Sequence, residues 1–133
     1  MIRRVLALSL FAFLLAACNS TPASDTPSGG DPAASQAVLR YLEAKAAADR
    51  DGVRAVLCST MESQLDIEAL SLSGLNARLE GASCTTDAGN ATVTCTGAII
   101  AEYGTETREL PLAQYNVVQE DGEWRWCGET TAP

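Results

Sequence analysis

The sequence predicts an α+β fold, with helices in the first half of the domain and an antiparallel sheet in the second half. Alanine-rich, helix-favouring sequence extends from about Asp31 to Asp49, further helix signals continue to Gly74, and strand-favouring sequence with turn signals follows from Asn76. Helices grouped before strands are typical of α+β folds rather than of alternating α/β folds. We assign the globular domain to residues 34–129 and a short tail to residues 130–133.

Residues 1–17 have the plan of a cleaved signal peptide. Arg3 and Arg4 precede an uncharged, mostly apolar run that extends from Val5 to Ala17. This run is shorter than the roughly 20 residues that a membrane-spanning helix needs, and it fits the apolar region of a signal peptide.

The tetrapeptide LAAC, which ends at Cys18, resembles the lipobox of bacterial lipoproteins. The resemblance implies cleavage before Cys18 and attachment of a diacylglyceryl group to its thiol, followed by acylation of the new amino terminus. Several acyl chains anchor a protein stably in a membrane, whereas one chain binds only marginally. We therefore expect a lipid-anchored protein of the cell envelope, at the periplasmic face of an outer membrane if the host has one and otherwise at the outer face of the cell membrane. The alternative is an ordinary secretory signal before a chance cysteine.

Residues 18–33 form the predicted lipidated cysteine and tether. The stretch after Cys18 holds three prolines, two glycines and no large apolar side chain. Such a segment cannot bury enough surface to offset the entropy cost of ordering it. We expect a flexible spacer with a coil span of about 20 Å.

The charge of the mature chain excludes some classes of partner. From Cys18 onwards it carries seven basic and seventeen acidic residues, a formal balance of −10. This balance disfavours nucleic acid, which requires clustered Lys and Arg, and electrostatic docking to anionic lipid. The chain has no histidine, so the commonest general base and the commonest zinc ligand are missing. We expect no metal and no cofactor.

Helix signals divide the first half of the domain into three segments. Asp31 followed by Pro32 indicates a helix start, because Asp caps a helix and Pro fits its first turn. We expect Asp51-Gly52 to break this helix. The expected helices run from Asp31-Pro32 to Asp49, from Val53 to Cys58, and from a capping box at Ser59 and Glu62 to Gly74.

Alternation and turn signals predict a four-stranded antiparallel meander in the second half. The expected strands are Ala77–Thr86, Ala91–Tyr103, Glu106–Gln119 with Pro111 interrupting it, and Glu123–Cys127. Asp121-Gly122 is the strongest hairpin signal. A two-residue turn there places Val117 opposite Trp126 and Gln119 opposite Trp124.

Four cysteines remain besides the lipobox cysteine, and an even number in an exported chain indicates two disulfides. Cys84 and Cys95 flank Gly89-Asn90 symmetrically, so a hairpin would place them opposite each other. A two-residue turn makes them a hydrogen-bonded pair, which suits a disulfide less well. Cys58 and Cys127 would then join the helical region to the last strand. Three pairings are possible, and we favour this one over a metal or redox site because no Cys-x-x-Cys occurs.

Two passages, VLRYLEAKAAADRDGVRAVLC and YNVVQEDGEWRWC, resemble the nuclear-transport-factor-2-like (cystatin-like) superfamily, and more narrowly the small bacterial lipoproteins that carry such a domain of unknown function. The resemblance implies a curved sheet wrapped around a long helix as a cone, with a cavity between them. Similar lipoproteins often have a cysteine after the short helix and another after the closing tryptophan, which agrees with a Cys58–Cys127 pair. Family members include isomerases, ligand binders and interaction modules, so the fold alone says little about activity.

The favoured functional hypothesis is a non-catalytic interaction or accessory module of the envelope, with a protein partner. The alternative is a protein that binds a small apolar ligand in the cone cavity. The side chains expected to line that cavity are Tyr41, Tyr115, Trp124 and Trp126.

A third hypothesis is an isomerase. Steroid-isomerase-like members of the superfamily use an Asp base with a Tyr oxyanion donor, and the corresponding candidates are Asp66 with Tyr103 or Tyr115. We expect Asp66 on the exposed side of its helix, because Leu65 and Ala69 occupy the buried stripe. We therefore assign no catalytic residue.

Overall fold

The computed structural model describes residues 29–130. The predicted signal peptide, Cys18, most of the predicted tether and residues 131–133 lie outside that range. Within it, three α-helices and a short 3-10 helix pack on a five-stranded antiparallel sheet, which confirms the α+β class. The elements are α1 Pro32–Ala46, α2 Arg50–Val56, the 3-10 helix Ser59–Gln64, α3 Leu65–Leu70, β1 Arg78–Thr86, β2 Thr92–Tyr103, β3 Glu106–Pro111, β4 Gln114–Glu120 and β5 Glu123–Glu129. None of these helices is long and apolar enough to cross a membrane.

The start of α1 follows the sequence signal. The Asp31 carboxylate accepts a hydrogen bond from the Ala33 amide at 2.8 Å, and Pro32 occupies the first turn. This arrangement satisfies one of the free amides at the helix start and uses the fixed φ of proline.

Backbone contacts tie the residues before α1 to the sheet. The Gly30 amide donates to the Thr86 carbonyl at 2.8 Å, and the Asp31 amide donates to Asn90 Oδ1 at 2.7 Å. A Cβ on Gly30 would lie 2.2 Å from Asn90 Oδ1, so only glycine fits there. Gly30 and Asp31 therefore contact β1 and the loop after it, although the predicted boundary assigns both residues to the tether.

The break after α1 lies earlier than predicted. The helix ends at Ala46, and Ala48 adopts a positive φ of 53°. Asp49 then caps α2, because its carboxylate accepts from the Gly52 amide at 3.0 Å. Asp51 and Gly52 lie inside α2, so the prediction that they break the helix was wrong.

The predicted capping box at Ser59 is also wrong. Ser59 begins the 3-10 helix, and no side chain caps that helix. Instead, the Ser59 amide and hydroxyl donate to the Glu120 carboxylate of β4 at 3.1 and 2.9 Å. A partner in the sheet has replaced the local partner Glu62.

The sheet has five strands rather than the four predicted. Its order is β1-β2-β4-β5, and β3 pairs with β2 as well. The predicted strand from Glu106 to Gln119 ends at Pro111 and resumes at Gln114. Proline has no amide hydrogen for the ladder, and the interruption faces Gly97, whose φ is +100°.

The last hairpin has the predicted register. Asp121 and Gly122 have φ values of 51° and 80°, as a two-residue turn with two left-handed positions requires. Val117 consequently lies opposite Trp126 and Gln119 opposite Trp124.

Both disulfides have the favoured pairing. Cys58 and Cys127 have Cα atoms 5.3 Å apart, and Cys84 and Cys95 have Cα atoms 4.1 Å apart. The Cys58 amide donates to the Trp126 carbonyl at 2.9 Å, which holds the end of α2 beside β5.

One detail of the Cys84–Cys95 prediction was wrong. The Asp87 amide donates to the Thr92 carbonyl at 3.0 Å. Since hydrogen-bonded and non-hydrogen-bonded pairs alternate along the ladder, Cys84 and Cys95 form a non-hydrogen-bonded pair. The turn is longer than two residues. Cys84 and Cys95 still lie opposite each other, but the positions of the hydrogen-bonded pairs along the two strands are shifted by one residue.

The main core lies between α1 and the sheet. Its largest fully buried side chains come from α1, α2, β2 and β5. They are Val38, Tyr41, Leu42, Val53, Val93 and Trp126.

Candidate functional site

A cavity of about 300 Å³ lies between the C-terminal half of α1 and the sheet. Tyr41 and Leu42 of α1, Ile99 of β2 and Tyr115 of β4 contribute to its wall. Lys45 supplies a charged group at the same wall. Small-molecule sites usually occupy cavities of roughly 300–1,000 Å³, and this volume lies at the lower end of that range.

The four aromatic residues predicted to line one pocket do not lie together. Tyr41 and Tyr115 line the cavity. Trp126 is buried beneath it and stacks on Tyr41, with ring centroids 3.8 Å apart. Trp124 lies by the start of α1, where its indole nitrogen donates to Asp31 Oδ2 at 2.9 Å. The structure therefore brings three of the four residues to one region, and only two of them to the cavity wall.

A polar cluster that sequence reasoning missed joins α3 to α1. Tyr41 donates its hydroxyl proton to Glu68 Oε2 at 2.5 Å, and Lys45 Nζ donates to the same oxygen at 2.6 Å. Lys45 Nζ also lies 3.1 Å from the Tyr41 hydroxyl. The spacing of Tyr41 and Lys45, one helical turn apart, could have indicated that they are neighbours. No sequence spacing indicates Glu68 as the third member, because Glu68 comes close to Tyr41 and Lys45 only when α3 packs on α1.

The cluster keeps the Tyr41 phenol protonated. Burial raises the pKa of Tyr41 far above its ordinary value, and the hydrogen bond to Glu68 and the charge of Glu68 raise it further. A protonated phenol serves as a hydrogen-bond donor rather than as a base. Burial also raises the pKa of Tyr115, whose hydroxyl accepts from the Ala113 amide at 3.2 Å.

The isomerase candidates are not brought together. Tyr103 and Tyr115 both line the cavity. Asp66 is exposed, as expected, and its carboxylate pairs with Arg50 at 2.5 Å. Its partner on α2 holds it outside the cavity wall, so it does not face either tyrosine as a base would have to.

An open groove of about 750 Å³ lies on the other side of α1, between α1, α2 and the turn of the β4–β5 hairpin. Small side chains such as Ala44 and Ala55 leave this space open. Arg125 spans one end, where it donates to the Ala55 carbonyl and to Glu123. Charged side chains of both signs line this groove, and no single ligand chemistry follows from them.

Large apolar side chains are exposed on α3 and at the end of β2. Ile67 and Leu70 on α3 are 64% and 45% exposed, and Tyr103 at the end of β2 is 36% exposed. Ser71, directly after Leu70, lines the cavity, as does Tyr103. The fourth exposed large apolar residue within residues 29–130 is Val118 on β4.

Two further observations concern the identity of the site. Among the residues described, no group of three or more Asp, Glu or Cys side chains is placed to hold a metal ion. No protein-family model matches this chain, and comparisons with curated proteins and with solved structures give no match either.

Proposed function

We propose that this chain is a lipid-anchored lipoprotein of the cell envelope, and that its domain, a member of the nuclear-transport-factor-2-like superfamily, is a non-catalytic interaction or accessory module. The proposal rests on one observation: some large apolar side chains are buried in the core, while others remain exposed on the surface. The stacked rings of Tyr41 and Trp126 are buried between α1 and the sheet, while Ile67, Leu70 and Tyr103 stay exposed. Exposed apolar patches of this kind mark interaction sites.

The two disulfides support export. Cys58–Cys127 and Cys84–Cys95 both have bonding geometry. Disulfides persist in oxidising compartments and are rare in the bacterial cytosol. They agree with the signal peptide and with lipidation of Cys18, which gives the domain its contact with the membrane.

The position of the ionisable groups supports a non-catalytic role. Asp66 pairs with Arg50, and Glu68 is already engaged by Tyr41 and Lys45. Both carboxylates are thus engaged by other side chains, and neither lines the cavity, whose one carboxylate among residues 29–130 is that of Glu129.

The cavity itself supports one alternative, the binding of a small apolar ligand. Tyr41, Leu42, Ile99 and Tyr115 give it an apolar wall. Its volume of about 300 Å³ would admit only a small molecule or part of a larger one.

Native mass spectrometry of the full chain, purified from its own envelope, tests these proposals. We expect a chain that begins at acylated Cys18 and lacks two hydrogens for each disulfide. A Cys18→Ser variant is the control, and it should remain unacylated and lose its membrane association. An unacylated, freely soluble wild-type chain contradicts the proposal. A retained small molecule that is lost from a Ser71→Phe variant, which narrows the cavity, favours the alternative.

A further inference from the structure

We propose that the Cys58–Cys127 bridge is a redox-exchangeable site, which a dithiol opens through the sulfur of Cys127 while the domain stays folded. Cys58 is the leaving sulfur in this reaction, and the Thr60 hydroxyl donates a hydrogen bond to it. The inference goes beyond the proposed interaction role. It takes from that proposal only the location in the envelope, where thiol–disulfide oxidoreductases act on exported proteins.

One hydroxyl group contacts both sulfurs of this bridge. Thr60 Oγ1 lies 3.2 Å from Cys58 Sγ and 3.3 Å from Cys127 Sγ. Neither sulfur of a disulfide carries a hydrogen, so the hydroxyl is the donor in both contacts. A hydrogen-bond donor in this position stabilises the negative charge that develops on a sulfur as the bond between the two breaks.

Burial decides which of the two sulfurs an incoming thiolate attacks. Cys58 is fully buried, at 0% exposure, whereas Cys127 is partly exposed. Exchange requires access to the attacked sulfur. The thiolate therefore bonds to Cys127, and the electron pair of the S–S bond goes to Cys58. Apolar surroundings disfavour a thiolate, and the hydrogen bond from Thr60 offsets part of that cost.

The two cysteines stay adjacent when the bridge is open. The Cys58 amide donates to the Trp126 carbonyl at 2.9 Å, and Leu57 forms a parallel β-bridge with Trp126. The Ser59 amide and hydroxyl donate to the Glu120 carboxylate at 3.1 and 2.9 Å. These bonds hold the end of α2 beside β4 and β5 without the covalent link. We therefore expect the bridge to open without unfolding and to re-form readily.

The proximity of Cys58 favours a dithiol over a monothiol as the reductant. A monothiol forms a mixed disulfide at Cys127, and the Cys58 thiolate then attacks Cys127 and expels the monothiol, which restores the bridge. A dithiol attacks its own sulfur of the mixed disulfide with its second thiolate. That step expels Cys127 as a thiolate, which takes a proton from water. In total, the dithiol is oxidised to a disulfide, and the bridge is reduced to two thiols.

The Cys84–Cys95 bridge provides an internal comparison. It joins neighbouring strands, and Cys84 is partly exposed while Cys95 is 4% exposed. Within residues 29–130, the two hydroxyl–sulfur hydrogen bonds both involve Thr60 and the other bridge. Loss of the Thr60 hydroxyl should consequently change the exchange of Cys58–Cys127 alone.

Timed reduction of the full lipidated chain in phosphatidylcholine nanodiscs tests this inference. Dithiothreitol is the dithiol probe and glutathione the monothiol probe, both without denaturant. Alkylation stops the reaction, and peptide mass spectrometry measures the open fraction of each bridge. We expect dithiothreitol to open Cys58–Cys127 while the far-ultraviolet circular dichroism, with empty nanodiscs as the blank, stays unchanged. Glutathione at equal thiol concentration should open at least about tenfold less, and its adduct at early times should lie on Cys127.

Substitutions of Thr60 separate hydrogen bonding from packing. Thr60→Val keeps the shape of the side chain and should slow the opening of Cys58–Cys127 by about fivefold, as the loss of one hydrogen bond implies. Thr60→Ser keeps the hydroxyl and should open at the wild-type rate. Thr107→Val is the matched control, because Thr107 is also an exposed threonine but lies on β3. The opening rate of Cys84–Cys95 should be the same in every one of these proteins.

An adduct on Cys58 rather than on Cys127 overturns the inference, and this result needs no variant. Equal opening rates of the wild type and Thr60→Val, or equal reduction by glutathione and dithiothreitol, also overturn it. Opening that occurs only together with loss of the dichroism signal does the same, because it shows that unfolding comes first. The same peptide map reports the state of Cys18, so failure here leaves the envelope proposal standing.

Discussion

The ring of Tyr41 stacks on the indole of Trp126, with the centroids 3.8 Å apart and the ring planes inclined by 10°. Tyr41 lies on the first helix and Trp126 on the last strand, and both are almost completely buried. Aromatic pairs contribute about 0.5–1.5 kcal/mol beyond the apolar area that they bury. This contact therefore joins the two ends of the domain through its centre.

Removal of the Trp126 side chain should destabilise the domain severely. We expect Trp126→Ala to lower the free energy of unfolding by about 3–5 kcal/mol, because it leaves a large cavity beside Tyr41. Trp126→Phe should cost less, since it keeps an aromatic ring. Val118→Ala is the surface control and should change the free energy by no more than about 0.5 kcal/mol. Urea unfolding followed by far-ultraviolet circular dichroism measures all three, and equal stability of Trp126→Ala and Val118→Ala would contradict the central role of the stack.

Gly97 should not tolerate a side chain. Its φ is +100°, and a Cβ there would lie 2.6 Å from the Gly81 carbonyl oxygen and 2.7 Å from that of Glu80. We expect Gly97→Ala to cost more than about 2 kcal/mol, because both the conformation and the space exclude alanine. Gly89→Ala is the matched control, since its Cβ would meet nothing within 4 Å. Thermal unfolding compares the two variants, and a Gly97→Ala domain as stable as Gly89→Ala would show that β1 and β2 approach each other less closely.

The two disulfides should contribute unequally to stability. The Cys58–Cys127 bridge spans 69 residues and the Cys84–Cys95 bridge spans 11. In the chain-entropy account, the longer loop is worth about 4 kcal/mol and the shorter about 3 kcal/mol. We expect the Cys58→Ala/Cys127→Ala variant to unfold at a lower urea concentration than Cys84→Ala/Cys95→Ala. The reverse order would mean that native contacts, rather than the unfolded chain, determine the contribution of each bridge.

The stability of the domain should fall at alkaline pH because of Tyr41. Burial and Glu68 raise the pKa of Tyr41 above its ordinary value of 10.0, so the unfolded chain loses the phenol proton before the folded chain does. The contribution of Tyr41 is therefore complete below about pH 10 and is lost progressively as the pH rises further. Tyr41→Phe keeps the ring but removes the titration, and it should show a shallower decline. Tyr115, whose pKa is also raised, contributes to the decline that remains.

Urea unfolding of the wild type and of Tyr41→Phe, at about pH 8 and about pH 11, gives the required comparison. Parallel declines in the two proteins would contradict the assignment. At the lower pH, Tyr41→Phe should lose about 1 kcal/mol, because the Glu68 carboxylate loses a hydrogen bond.

Local chemistry explains the parts of the fold that the sequence predicts well. Asp31 and Pro32 form a helix start through their own side chains, and Asp121 with Gly122 accepts the two positive φ angles of a tight hairpin turn. Neither signal depends on distant residues. The register that brings Trp126 opposite Val117 follows from the turn alone.

The elements that sequence reasoning misplaced depend on competition between local and distant partners. Gly52 carries a helix penalty of about 1 kcal/mol, but its amide is bonded to Asp49, which makes it part of a helix start. Ser59 donates to Glu120 across the fold instead of forming a local box. The sequence spacing does not indicate that Glu120, rather than Glu62, is the hydrogen-bond partner of Ser59.

In the candidate site, too, some residues were predicted correctly from local sequence, while the positions of others depend on distant parts of the fold. Tyr41 and Tyr115 are aromatic residues on predicted elements and do line the cavity. Trp124 and Trp126 lie two residues apart on one strand, yet one lies by the start of α1 and the other lies under its centre. Because α1 crosses the sheet, its direction decides which tryptophan is covered, and a strand pattern contains no information about that direction.

The bonds from Gly30 and Asp31 to Thr86 and Asn90 have a mechanical consequence. A pull on the chain from its amino-terminal side reaches strand β1 through the Gly30–Thr86 bond before it can unwind the first helix. Thr86 lies two residues from Cys84, which is covalently joined to Cys95 on the neighbouring strand. Tension applied at this end is thereby shared between two cross-linked strands, so the domain has a reinforced point of attachment where a tether would load it.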